Sequence, residues 1–255
     1  MIPVMGLPIL NQTYLLTKML DSVDHDIDRL YIIDNGGIIQ PEMVRGYRAN
    51  NVHIADPGFN MGVGPAWNLI IRANIQAPYW LITCNDIVFS PGCLARLAED
   101  MDAHAGIPHL SRIIMDNERH WGNHFGAFAI NAEAIDSVGW FDENIYPIYY
   151  EDTDWLWRAS KVDGFTLTDI DSNTHHDGNA SWKGIPYNAA GNKRTWDINR
   201  DHFDAKSGFG SYDLPFDVDT PDGIRYTLQP RVSVLREQDW KVDRKDNVKN
   251  DGHFA

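Results

Sequence analysis

Short apolar runs alternating with helical runs constrain this chain more than any other feature. Ile2 to Leu10 reads as a buried strand, followed by a helical run from Thr13 to Val23 with Leu15, Leu16, Met19 and Leu20 on one face and Asn11 as its cap. Arg29 to Ile33 reads as a second strand, stopping at Asp34-Asn35-Gly36-Gly37, a turn by composition. Asn51 to Ala55 is a third strand, and a glycine-containing loop then leads into a helix over 66–74. Tyr79 to Thr83 is a fourth. Strands that alternate with helices predict an α/β fold with a parallel, doubly wound sheet and right-handed crossovers. Such sheets bind ligands beyond the carboxyl ends of their strands, where Asp34 and Asp86 both stand.

Further along, a helix is expected over 93–104, strands over 107–115 and 125–130, and a helix from about Asn131. Residues 139–215 are dense in Trp, Tyr, Asp and His and show fewer clean periodic runs. From Asp217 onward the chain is charged and strand-poor, which reads as an appendage, partly disordered. A chain of 255 residues with 43% hydrophobic content can close one sizeable core. Lys and Arg total 22 against 36 Asp and Glu, and the resulting charge of -14 repels a phosphate backbone, which argues against a DNA groove-binder. A local basic stretch, Lys183, Lys193, Arg194 and Arg200, could still receive a nucleotide. Cys84 and Cys93 are not arranged as a disulfide framework, which fits a reduced cytosolic setting. The N-terminus lacks the pattern of a signal peptide, and no window approaches the ~18 apolar residues of a membrane span. The expectation is a soluble, cytoplasmic protein, in the host cytoplasm if the source is viral.

Several groups could carry chemistry. Asp86 follows a buried strand and precedes Ser90-Pro91-Gly92, so its carboxylate suits a hard divalent cation that bridges to phosphates; the alternative is a turn-forming Asp that caps the next helix. Asp34-Asn35-Gly36 reads either as a tight turn or as a contact to a base or ribose, and local evidence favours the turn. Asn60-Met61-Gly62-Val63-Gly64, with Asn68, is similar to a phosphate-cradling glycine loop, although Gly-Lys-Ser/Thr is missing. Glu151, Asp152 and Asp154 place three carboxylates within four residues, beside Tyr149, Tyr150, Trp155 and Trp157. Repulsion and burial there would raise at least one pKa, as a general base requires. The competing reading is a helix N-terminus, with Asp154 paired to Arg158. Aromatic rings beside acids also suit sugars. Of the adjacent His175 and His176, at most one can serve a metal or diphosphate, because neighbours on a strand face opposite ways. No Gly-x-Ser-x-Gly elbow is present.

Taken in order, these pieces resemble the family-2 glycosyltransferases of the GT-A fold, especially the rhamnosyltransferase-like members. The likeness is carried by Asp34-Asn35-Gly36, by Asn60-x-Gly62-x-Gly64 with Asn68, by Asn85-Asp86-Ile87 before Pro91-Gly92, and by Gly139-Trp140-Phe141-Asp142-Glu143 followed by Tyr150-Glu151-Asp152-x-Asp154 and Arg158. Weaker likenesses lie at His175 to Ser181, at Lys206-Ser207-Gly208 and at Pro215-Phe216. The resemblance implies a GT-A domain over 1–215, with a donor half (1–105) and an acceptor half (106–215), and a C-terminal extension over 216–255. It implies an inverting transfer from a nucleoside-diphosphate sugar (UDP-, dTDP- or GDP-linked) to the hydroxyl of a glycan, a protein or another acceptor, a modified nucleobase included. In this reading Asp152 is the general base. Pro8, Asp34, Asn35, Asn60, Gly62, Asn68, Asn85 and Asp86 bind the donor. Tyr150, Glu151, Asp154 and Trp155 meet the acceptor, and Asp86 with His175 holds Mn²⁺ or Mg²⁺. Two positions depart from the family's pattern: Cys84 stands where an acid or Asn opens the metal motif, and Lys206-Ser207-Gly208 replaces Lys-Trp-Gly. Two other readings stay open on these residues: a nucleotide-sugar or glycan-binding module without turnover, and a metal-dependent nucleotidyltransferase or phosphoesterase.

Overall fold

The computed structural model describes residues 1–116, 125–177 and 186–208, with side chains described from 195 onward in the last segment. Lys183, Lys193 and Arg194 of the basic stretch, Ser181, Pro215-Phe216 and the 216–255 extension fall outside the described residues or side chains. In chain order the elements are β1 (Ile2–Ile9), α1 (Thr13–Asp21), β2 (Ile27–Asp34), β3 (Ala49–Ala55), α2 (Val63–Ala73), β4 (Tyr79–Thr83), β5 (Ile87–Val88), α3 (Cys93–Ala103), β6 (His109–Ile114), β7 (Ala127–Asn131), α4 (Ala132–Val138), α5 (Glu151–Ala159), β8 (Thr166–Asp171), β9 (His175–His176) and α6 (Pro186–Ser207).

Seven strands form one sheet in the order β3-β2-β1-β4-β7-β6-β8. β1, β2, β3 and β4 run parallel, β7 is antiparallel to both β4 and β6, and β8 returns parallel to β6. Side-chain alternation along the strands feeds two cores. Met5, Leu7 and Leu81 face the layer that holds Leu16 and Met19 of α1 and Leu94 and Leu97 of α3. Val4, Trp80 and Ile82 face the layer of Trp67 and Ile70 of α2, Ile135 of α4 and Trp155 of α5. Each such aliphatic side chain, fully enclosed, contributes about 1.5–3 kcal/mol. Gly6 lies where β1 meets α2, and a Cβ there would stand 2.3 Å from Ile70 Cγ2. The helix therefore packs directly onto strand backbone.

α4 starts where the sequence predicts, and Asn131 caps it by accepting from Ala134 N. Asn11 does not cap α1. Gln12 occupies that position in a left-handed conformation without a side-chain cap, while the Asn11 carbonyl receives the Asn85 amide across the strand ends. β8 and β5 have no counterpart in the sequence reading, which places only His175 and His176 on a strand. Burial alternates along β8, a sheet-edge strand, but two of its three less exposed positions are Thr166 and Thr168 and Leu167 faces out, so no apolar alternation marks it, and two residues are too short for periodicity to reveal β5.

Candidate active site

The carboxyl end of β4 carries the first cluster. The Cys84 amide donates to Gly126 O at 2.8 Å, which fixes the turn that follows. Asn85 turns toward α1, donating to Asn11 O at 3.2 Å and Gln12 O at 3.4 Å. Asp86 is turned toward the β5–β9 pair, where Ile87 is in register with His176. His176 Nε2 lies 3.1 Å from Asp86 Oδ1, and Cys84, Asp86 and His176 offer one ligand atom each, all within 4.8 Å of one another. An imidazole, a carboxylate and a thiol so placed fit a divalent cation. The histidine at this cluster is His176 rather than His175. On β9 the two rings face opposite ways, and His175 turns out to Asp116 at 3.2 Å and Asp177 at 3.3 Å. Asp86 does not cap α3 either, because Gly92 holds that position and its amide donates to Asp24 at 2.7 Å.

Beyond β2, the Asp34 carboxylate is buried and accepts from the amides of Ile38 at 3.0 Å and Ile39 at 2.8 Å, so it builds its own turn. Asn35 accepts from Met61 N at 3.1 Å and donates to Gly62 O at 3.4 Å, tying this turn to the glycine loop. The loop is not an open anion cradle. Asn60 takes the Gly62 amide, and Pro147 O takes that of Val63 at 2.7 Å, so both amides are spent within the protein. Gly62 is required by contact as well as by φ of 84°, since a Cβ there would meet the Tyr146 ring at 2.8 Å. Asn68 likewise does not line a pocket. It is fully enclosed, bonding Phe141 N and O and the Glu143 carboxylate, and it joins α2 to the 139–143 segment. Pro8 lies near the carboxyl end of β1, in register with Ile33.

All three acids of 151–154 lie in the first turn of α5. Asp154 and Trp155 are fully buried and structural, which corrects their assignment to the acceptor. Asp154 pairs with Arg158 at 2.9 Å and Lys206 at 2.6 Å, and the Trp155 indole donates to Gly139 O at 2.9 Å inside the core. Glu151 is also buried, and its Oε2 finds no hydrogen-bond partner among the described residues. Burial, with the Asp152 charge adding to it, pushes the Glu151 carboxyl well above the usual carboxylate range. Asp152 is half-buried and accepts from Thr153 N at 2.7 Å. Tyr149 and Tyr150 enter the helix with φ of 77° and 76°, two consecutive left-handed residues other than glycine.

Sequence reasoning missed what holds this turn in place, helix α6. Asn199 donates to the carbonyls of Ile148 and Tyr149 at 2.9 and 3.1 Å. His202 lies 3.1 Å and Lys206 2.8 Å from the buried Asp142 carboxylate. Burial pushes that carboxyl up, but Lys206 and His202 outweigh it and hold the group well below its ordinary range. Trp196 closes against the rings of Tyr149 and Tyr150, with centroids 5.2 and 5.0 Å apart, and remains 46% exposed. The half-buried rings of Tyr149 and Tyr150 thus precede Asp152 in the chain, with the exposed Trp196 ring packed against them. The one signal for this clamp is Lys206-Ser207-Gly208. The lysine of that motif is where the resemblance places it, although its neighbour is not an aromatic. A second His/Asp cluster, Asp100, His104 and His109, lies where α3 meets the start of β6, at the end of the sheet opposite the carboxyl end of β4. It is satisfied internally, with His109 2.7 Å from Asp100 and 2.8 Å from Thr166.

This architecture is shared with solved glycosyltransferases. Glucosyl-3-phosphoglycerate synthase from Mycobacterium tuberculosis, crystallised with Mn²⁺, UDP and glucosyl-3-phosphoglycerate, aligns with a TM-score of 0.57 at 17% identity, over 81% of this chain and 80% of that one. The chain has the GT-A glycosyltransferase fold. S. aureus TarS, in a structure of residues 1–349, aligns with a TM-score of 0.52 at 14% identity, over 69% of this chain and 60% of that one. A galactofuranosyl glycosyltransferase from Leishmania donovani is 51% identical over 35 residues, a match that spans 14% of this chain and 8% of that protein. No family model matches the chain. Among the described residues of this GT-A chain, no helix is long and apolar enough to cross a membrane.

Proposed function

We propose that the chain is an inverting glycosyltransferase that moves a sugar from a nucleoside-diphosphate sugar to an acceptor hydroxyl, with Asp152 as general base. The observation that carries this reading is the presence on a GT-A fold of a metal-competent cluster beyond β4 and of a half-buried carboxylate at the start of α5, next to the Tyr149, Tyr150 and Trp196 rings. Asp86 and His176 would hold Mn²⁺ or Mg²⁺, which would supply positive charge to offset the charge that develops on a leaving diphosphate. Asp152 takes the acceptor proton as the hydroxyl oxygen bonds to the anomeric carbon, and the bond from that carbon to the diphosphate breaks with inversion. Tyr149, Tyr150 and Trp196 present ring faces to a sugar. Asp34 and Asn35 support the donor side chiefly by shaping the turn and the loop beyond β2. UDP-sugars are the first donors to try, since a structural relative was crystallised with UDP.

The test compares wild type with Asp152→Asn on a panel of UDP-, dTDP- and GDP-sugars and glycan acceptors. Transfer is expected to fall by about 10²-fold or more, while UDP binding in the calorimeter stays within error. Undiminished transfer overturns the base assignment. UDP binding by the wild type without any transfer or donor hydrolysis favours a binding module, a reading that the thiol in the metal cluster motivates. Phosphoester cleavage or pyrophosphate release without sugar transfer favours nucleotidyl chemistry.

A further inference from the structure

The metal motif departs from its family pattern at Cys84, and the geometry gives that departure a consequence. Asn85 points away to the start of α1, leaving Cys84 and Asp86 to flank it with their donor atoms in one cluster with His176. The backbone at Cys84 is fixed by Gly126 O. Gly126 lies against the His176 ring, where a Cβ would stand 3.4 Å from Nδ1, in ordinary van der Waals contact. The other cysteine, Cys93, is fully buried beside Thr174 and takes no part in the cluster.

We propose that the Cys84 sulfur is a third protein ligand to the cation held by Asp86 and His176, so that the site prefers borderline and thiophilic ions such as Co²⁺, Zn²⁺ and Cd²⁺ over Mg²⁺. The proposal rests on the metal reading given under the proposed function. Mg²⁺ takes oxygen ligands and parts with water reluctantly, whereas a sulfur and an imidazole favour ions later in the first transition row and softer ones. On binding, a sulfur–metal bond forms and the thiol proton passes to solvent, with no change in oxidation state.

The experiment titrates Co²⁺ into the full chain with UDP present and records calorimetry and the near-ultraviolet sulfur-to-cobalt charge-transfer band together. Wild type and Cys93→Ser are expected to show the band. Cys84→Ser is expected to bind Co²⁺ without it, and to lose Cd²⁺ affinity by at least the roughly 10-fold that removal of even a supporting partner costs. Cys84→Asp is expected to shift preference toward Mg²⁺. Calorimetric Co²⁺ binding by wild type with no charge-transfer band overturns Cys84 as a ligand and leaves the Asp86–His176 site standing. A band that survives in Cys84→Ser but vanishes in Cys93→Ser likewise overturns it. Failure of wild type to bind Co²⁺, Mn²⁺ or Mg²⁺ in the presence of UDP overturns both this proposal and the metal reading beneath it.

Discussion

Glu151 and Asp142 are two buried carboxyls near the same helix end, and their surroundings push them in opposite directions. Asp142 has Lys206 and His202 against it, while Glu151 has the charge of Asp152 and an oxygen without a hydrogen-bond partner among the described residues. The folded pKa of Glu151 lies above its unfolded value, so its contribution to stability is complete below the unfolded value and is lost as pH rises through the folded one. Asp142 works the other way, stabilising above its unfolded pKa and losing that contribution as pH falls through its folded value. Glu151→Gln is therefore expected to be more stable than wild type at about pH 8, with the gap closing toward about pH 4. A gap of the same size at both pH values would mean that Glu151 is not held neutral by the fold. The sequence reading had already required one raised pKa among Glu151, Asp152 and Asp154, because crowded carboxylates repel. It did not single out Glu151, because which acid turns inward depends on the two left-handed tyrosines that set the first turn of α5.

At the scale of elements, α6 decides the shape of the site. Among its described side chains, the buried positions Thr195, Asn199, His202 and Phe203, with half-buried Lys206 a turn further on, recur at helical spacing, yet three of those four buried residues are polar. Apolar periodicity could not reveal a helix whose inward face is built to meet carboxylates and carbonyls. β1, β2, β4, α2 and α3 were legible because their inward faces are apolar. Lys206→Met should leave Asp142 and Asp154 buried without their shared cation, a loss of about 3–5 kcal/mol by chemical denaturation. Transfer by the surviving folded fraction is expected to fall, because Asn199 and the 146–150 segment lose their anchor. Wild-type stability in Lys206→Met would show that the two acids find other partners. Asn68 teaches the same lesson from the donor side. Its place in a motif was readable from sequence, but its work as a strut became visible only once Phe141 and Glu143 were seen against it.

Over the whole molecule, the parallel half of the sheet and the strand-end placement of Asp34 and Asp86 were legible, since alternating strands and helices leave few other ways to close a core. The choice of His176 over His175, and the enclosure of Asp154 and Trp155, depended on contacts between distant segments that no local pattern encodes. The span between those segments also sets an order of assembly. His202 and Lys206 reach Asp142 across 60 and 64 residues of chain, and closing so long a loop costs entropy before any contact rewards it. Until α6 arrives, Asp142 and Asp154 must keep their water, so the core around Trp155 cannot finish drying. In a pulse-labelling hydrogen-exchange experiment during refolding, the amides of β1, β2 and β4 are expected to gain protection before those of α5. Simultaneous protection would mean that α6 docks early. The helix end that carries the proposed base, Asp152, is then the last part of the candidate site to become native.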